Sequence, residues 1–184
     1  MFFNFICVIL KSDFLKEWWV TMPEKLEDEY LGIVQDILDN EEFQSLKEYY
    51  HHNSSIYNHS LRVSYYSYKV AKVMELDFEA VARGGLLHDF FSYDWREYKK
   101  NKNNKNHGLE HPKTALKNAR KHFQVTKKEE DIILKHMWPK VFGMPKFKES
   151  VLVSMVDKYC ATEEFYGGYK EFVQNKIKIF AQVS

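Results

Sequence analysis

The chain has 184 residues, enough for one domain with a real core and too few for two of ordinary size. Hydrophobic residues make up 45%, and 27 Lys+Arg stand against 26 Asp+Glu, so the net charge of +1 excludes a basic nucleic-acid binder and charge offers no partner. The two cysteines, Cys7 and Cys160, lack metal-type spacing, which excludes a disulfide framework and places the chain among cytoplasmic proteins with reduced thiols.

The opening MFFNFICVIL is about ten apolar residues long, short of the roughly 20 that a bilayer-spanning helix needs. It has neither a basic segment before it nor a small-residue cleavage site after it, so it does not read as a secretory signal and no membrane association is expected. Met22 opens MPEKLEDEY, the pattern of a helix start; residues 1–21 are therefore expected to be an extension and residues 22–184 a single domain. After Pro23, Leu26, Tyr30, Ile33, Val34, Ile37 and Leu38 recur at helical spacing and predict a first helix, while Phe43, Leu46 and Tyr50 predict a short second one. A third runs from about Asn58 to Met74, and Asp77 is placed to cap a fourth that leads into Leu86, Leu87 and His88.

The polar run KKNKNNKN at 99–106 can bury nothing and predicts a loop. Pro112 suits the first turn of a fifth helix reaching about His122. Thr126 to Glu129 has the spacing of a capping box, which opens a sixth helix that Pro139 stops after Trp138. A seventh covers about Lys148 to Thr162, and beyond Gly167 and Gly168 an amphipathic last helix spans about Tyr169 to Val183. No alternating strand pattern, hairpin signal or internal repeat interrupts them, so the predicted fold is all-α, a bundle of about seven to eight helices.

Several polar residues fall on the apolar faces of these helices. His59 shares a stripe with Val63, Tyr66 and Val70, and His136 follows Ile132 and Ile133 by one turn. Asp157 follows Val153 by one turn and precedes Cys160 and Ala161 by another. His88 and Asp89 extend Leu86-Leu87, with Gly84 and Gly85 one turn back. A single inward His is ordinarily a core residue bonded to backbone, and a single inward Asp a capping group. Several together need a shared solution, because an isolated buried carboxylate is costly unless charge or hydrogen bonds compensate it. A divalent transition metal supplies one, since imidazole and carboxylate suit Fe, Mn, Zn, Ni or Co without any thiolate. His51, His52 and His122 sit in polar contexts and are expected at the surface; His107, beside Gly108, is a candidate either to support a metal ligand or to face the substrate.

The order His59, then His88 with Asp89, then His111, His136 and Asp157 resembles the HD-domain metal-dependent phosphohydrolase superfamily, all-helical proteins named for that dipeptide. The resemblance covers about residues 55–162 and rests on YNHSLRV around His59, GGLLHD around the pair, HPKTA around His111 and DKYCA around Asp157. It implies that His59, His88, Asp89 and Asp157 bind one metal ion inside the bundle. It further implies that His111 and His136 match the positions holding a second, with Asp89 bridging both. Two stretches depart from the family. Ser92 stands three residues after Asp89, where many catalytic members carry Lys. HMWPKVFGMP is similar to the cyclic-dinucleotide phosphodiesterase subgroup, whose second metal His precedes Gly-Tyr-Pro, yet Met144 replaces the Tyr and the His-Glu element is absent.

Two ions about 3.5–4 Å apart activate a bridging water and stabilise attacking and leaving oxygens. The expected activity is hydrolysis of a phosphate ester or anhydride by metal-activated hydroxide, with Asp89 at both ions. Arg62, one turn after His59, is the expected phosphate contact, and Lys113, His107 and Lys158 are further candidates. A single domain without a nucleic-acid module points to a nucleotide or small phosphometabolite as substrate. Tyr65, Tyr66, Phe91, Tyr93 and Trp95 are candidates to stack on a base, although aromatics at helical spacing are more often core. The same ligands would also serve a di-iron oxygenase or a non-catalytic metal or nucleotide sensor. The terminal helix and the apolar N-terminal segment are candidate surfaces for a homodimer.

Overall fold

Seven α-helices form among the described residues, and capping side chains set where most of them begin. The computed structural model describes residues 27–51, 54–93 and 107–183, with 51, 107 and 167–183 described by their backbone alone. The expected extension at 1–21, Leu26, His52, Trp95 and the polar run at 99–106 lie outside the described residues.

Helix α1 (Asp28–Leu38) buries Tyr30, Val34, Ile37 and Leu38, the stripe predicted for it. Asn40 caps the short α2 (Glu41–Gln44) by accepting the Phe43 N–H at 3.1 Å, and a 3-10 turn follows at Ser45–Glu48. The second predicted helix stops there. Tyr50 is exposed and belongs to a two-residue antiparallel ladder, β1 (Tyr50–His51) with β2 (Ser54–Ser55), too short for any alternation to be legible in sequence. Ser55 caps α3 (Ile56–Val73) through the Asn58 N–H at 3.2 Å, and Asp77 caps α4 (Phe78–Leu87) as predicted, through the Ala80 N–H at 3.0 Å.

Helix α5 (His107–His122) begins ahead of Pro112, which sits inside it rather than in its first turn. The ring forfeits only the bond to the Gly108 carbonyl, and the helix continues through it. Both bonds of the capping box between Thr126 and Glu129 open α6 (Lys127–Lys135), which ends earlier than Trp138, with His136 as its C-cap. The two helices expected at the C-terminal end are one, α7 (Lys148–Val183), whose backbone runs straight through Gly167 and Gly168. Two glycines cost about 1 kcal/mol each relative to alanine, which weakens a helix without ending it.

Helix α4 is the centre of the bundle, packed against α1, α3, α5, α6 and α7. Its close approach depends on Gly84 and Gly85. A Cβ at Gly84 would meet Ile132 side-chain atoms of α6 at 2.9 Å, and one at Gly85 would meet the Ser64 backbone of α3 at 3.0 Å. A buried polar chain ties the same layer: Tyr30 Oη lies 2.7 Å from Ser64 Oγ, which donates to the Ala82 carbonyl at 2.6 Å. Arg83 binds Asp36 with both Nη atoms, at 2.6 and 2.9 Å, and reaches Glu129 at 3.3 Å, linking α1, α4 and α6. Among the described residues no helix is long and apolar enough to cross a membrane.

Candidate metal centre

Helix ends bring the polar residues inside. His59 lies in the first turns of α3, His111 on α5 and Asp157 on α7, while His88, Asp89 and His136 occupy the turns that end α4 and α6. All six are buried, none more than 7% exposed. His88 and His136 are held by the same local device. Each caps its helix and places Nδ1 against the carbonyl three residues back, His88 at 2.7 Å from Gly85 and His136 at 2.8 Å from Ile133. Those carbonyls have no partner within the helix, so the Nδ1–H donates to them and the Nε2 lone pair turns inward. The negative end of each helix dipole also faces the site, which favours a cation there.

The turns themselves are braced from neighbouring helices. Asn118 of α5 donates to the Phe90 carbonyl at 2.9 Å, just after the His88-Asp89 pair. Ser154 and Lys158 of α7 donate to the His136 carbonyl at 2.7 and 2.9 Å.

Ligand atoms then converge in two groups, His59, His88 and Asp89 in one and Asp89, His111 and His136 in the other. Asp89 turns Oδ2 to His88 Nε2 at 3.4 Å and Oδ1 to the Nε2 atoms of His111 and His136 at 3.2 and 3.4 Å. His111 and His136 Nε2 are 2.7 Å apart. Asp157 Oδ1 joins the first group, 3.1 Å from His59 Nε2 and 3.7 Å from His88 Nε2. Ligand atoms each roughly 2.0–2.2 Å from one ion lie about 3.0–3.5 Å from one another; most of these separations fall in that range, with the His111–His136 pair shorter at 2.7 Å and the His88–Asp157 pair longer at 3.7 Å.

Burial opposes charge at His59, Asp89, His136 and Asp157, and the outcome depends on what their neighbours add. At His59 burial works against the imidazolium, but Asp157 and Glu164 on its two sides outweigh it and raise the group to about 10. At His136 burial dominates; the nearby His111 and His88 reinforce it against the pull of Asp89, and the group falls to about 3, leaving a neutral ring. Burial would raise the carboxyls of Asp89 and Asp157, yet the surrounding histidines hold both well below the usual carboxylate range. Even so, His88 Nε2 and Asp89 Oδ1 are buried without a hydrogen bond. Unsatisfied buried acceptors of this kind are costly, and a cation at the two groups would satisfy them together. The donor set of imidazole nitrogens and carboxylate oxygens fits a divalent transition metal.

The substrate-contact candidates are more scattered. Arg62 is partly buried, with Nη1 donating to Glu164 Oε1 at 3.2 Å and the guanidinium 5.9 Å from the Tyr66 ring centre. Lys113 is exposed and paired with Glu110 at 3.2 Å. Lys158 spends its ammonium on the His136 carbonyl and on Ser154, and burial pushes its pKa down. Of His107 only the backbone is described, at the start of α5. Tyr65, Tyr66 and Phe91 are core residues rather than a stacking platform, and Tyr93 packs on Phe91 at 4.8 Å. His122, expected at the surface, is half-buried with its ring 5.8 Å from Phe90. Glu164 lies outside the set of polar residues that the helical periodicity marks. It contacts His59 Nδ1 with both carboxylate oxygens at 3.2 Å, and its signal was its position two turns after Asp157 on one helix face.

No curated protein and no solved structure matches the chain. A family model described as HD domain matches residues 56–162, more than half of the 184 residues. That span contains His59, the His88-Asp89 pair, His111, His136 and Asp157, the residues whose ligand atoms converge; the chain belongs to the HD domain family.

Proposed function

We propose that the protein is a metal-dependent phosphohydrolase that cleaves a phosphate ester or anhydride of a nucleotide or small phosphorylated metabolite in the cytoplasm. The observation that carries this reading is Asp89, one buried carboxylate with an oxygen toward each of two groups of histidines, in a chain of the HD domain family. His59, His88, Asp89 and Asp157 would hold one ion; Asp89, His111 and His136 would hold a second, drawn from Fe, Mn, Zn, Ni or Co. Bound ions supply the Lewis acidity that activates water and offsets charge on a phosphoryl group.

The chain's own residues prepare the site. His88 and His136 are locked with Nε2 inward by their Nδ1–H bonds to backbone, so they lose little freedom on binding. Asp89 and Asp157 are held ionised, which offsets the charge brought by the ions. Arg62 is the proposed phosphate contact, because it is partly buried one turn beyond His59 on α3 and a guanidinium suits phosphate oxygens. Lys113, Lys158 and His107 are further proposed substrate contacts.

The test is phosphate release from a panel of nucleotides and sugar phosphates by protein stripped of metal and reloaded with each candidate ion, beside a His88→Ala variant. Release that requires the metal and is lost in the variant is the expected outcome. Oxygen uptake by the iron-loaded protein without phosphate release, or nucleotide binding without turnover, overturns it.

A further inference from the structure

His88 and His136 owe their orientation to the free carbonyls at helix ends, and His59 has no such carbonyl. It is the fourth residue of α3, and the carbonyls before it are taken by the helix that follows. Glu164 stands on α7 two turns after Asp157, so one face of one helix presents a carboxylate to each nitrogen of the imidazole. Asp157 Oδ1 lies 3.1 Å from Nε2, while Glu164 Oε1 and Oε2 are both 3.2 Å from Nδ1. Glu164 is 8% exposed, and Arg62 donates to its Oε1 at 3.2 Å from the next turn of α3.

We propose that Glu164 is the positioning residue of His59. Its carboxylate accepts the Nδ1–H, turns Nε2 to the metal group and makes that nitrogen a stronger donor to a cation. Arg62 holds the carboxylate in place. The proposal rests on the metal-binding reading above.

The experiment titrates metal-stripped protein with Mn²⁺ and with Zn²⁺ in competition with a chromogenic chelator. On a His136→Ala background, which disables the second group, Glu164→Ala is expected to weaken the remaining ion by about 10–100-fold. Glu164→Gln keeps an acceptor without the charge and is expected to lose less. On a background carrying both His59→Ala and His136→Ala, adding Glu164→Ala is expected to change affinity by less than about twofold, since the residue it acts through is gone. Unchanged affinity on the His136→Ala background overturns the proposal. An equal loss on both backgrounds also overturns it, because that marks a general structural effect. Wild-type protein that takes up neither ion overturns the metal reading and Glu164's role with it, a result separate from either of these. Should Glu164→Ala fail to fold, the near-isosteric Gln variant carries the comparison.

Discussion

Individual side chains in this protein are read best through what holds them. Asp89 is 3% exposed and Oδ1 lacks a hydrogen bond, so its position in the core makes sense only with a positive partner. Arg62 is positioned differently, with one nitrogen on Glu164 and its surface partly exposed. At saturating metal, Arg62→Ala should raise KM for a phosphorylated substrate by about tenfold, the worth of one hydrogen bond to a charged group, while bound metal is retained. Steady-state kinetics with metal analysis of the same samples checks this; unchanged KM removes Arg62 from the substrate site. His59, His88, Asp89, His136 and Asp157 were legible as candidate ligands because polar residues on apolar faces break the period that places them, whereas His111 entered only through the resemblance to the HD-domain proteins. Glu164 was not legible, because a carboxylate beyond the last apolar stripe of a helix looks like an exposed one until His59 is seen packed against it from residues far away in sequence.

At the level of elements, boundaries followed capping chemistry where a short polar side chain announced it, as at Asp77 and Thr126, and failed where proline or glycine was read as punctuation, as at Pro112 and Gly167-Gly168. Those residues lower helix propensity by a finite amount, which packing and neighbouring turns override. Glycine matters more at α4. Gly85→Ala places a methyl 3.0 Å from the Ser64 backbone, and a helix backbone cannot yield as a side-chain tip can. The gain in helix propensity, about 1 kcal/mol, should be outweighed, giving a net loss on the order of 1 kcal/mol or more in urea unfolding and weaker metal uptake as α4 moves from α3. A variant as stable as wild type would show that the layer has slack.

The cap of α4 also carries a pH dependence. Burial would raise the Asp77 carboxyl, but Lys128 at 2.8 Å and the Ala80 N–H outweigh it and hold it below its ordinary value. A depressed carboxyl adds stability above its unfolded pKa of about 3.9, and that increment is lost as pH falls through the folded value. Asp77→Asn keeps an acceptor for the cap and loses the charge. With the side chain 43% exposed, the cost at pH 7 should be only a few tenths of a kcal/mol after solvent screening. Urea melts should show the gap between wild type and variant closing below about pH 4; a gap constant with pH would assign the whole effect to capping geometry.

Over the whole molecule, the all-α architecture was legible because periodic apolar stripes occur almost everywhere in the chain. The clustering of the candidate site residues was legible because they come from elements that those stripes pack together. What the pattern could not convey is how far the apolar core stands independent of the site. The core cluster reaches from Tyr30 and Val34 of α1 to Cys160 of α7, and its largest side chains are buried by one another. The candidate ligand residues bring α3, α4, α5, α6 and α7 together at a single point. Chelation should therefore leave helical content near room temperature almost unchanged and lower the unfolding temperature. An ion present at about 100 times its Kd stabilises the folded state by about 2.7 kcal/mol. For a chain of this size that corresponds to roughly 5–10 °C per ion. Circular dichroism melts of metal-loaded protein, with and without chelator, followed by metal re-addition, measure both quantities at once. A reversible fall of that size places the metal groups among the forces holding five helices together. An unchanged melting temperature would mean that the two groups bind no ion of consequence, and a collapse of helicity on chelation would mean that the apolar core does not stand without them.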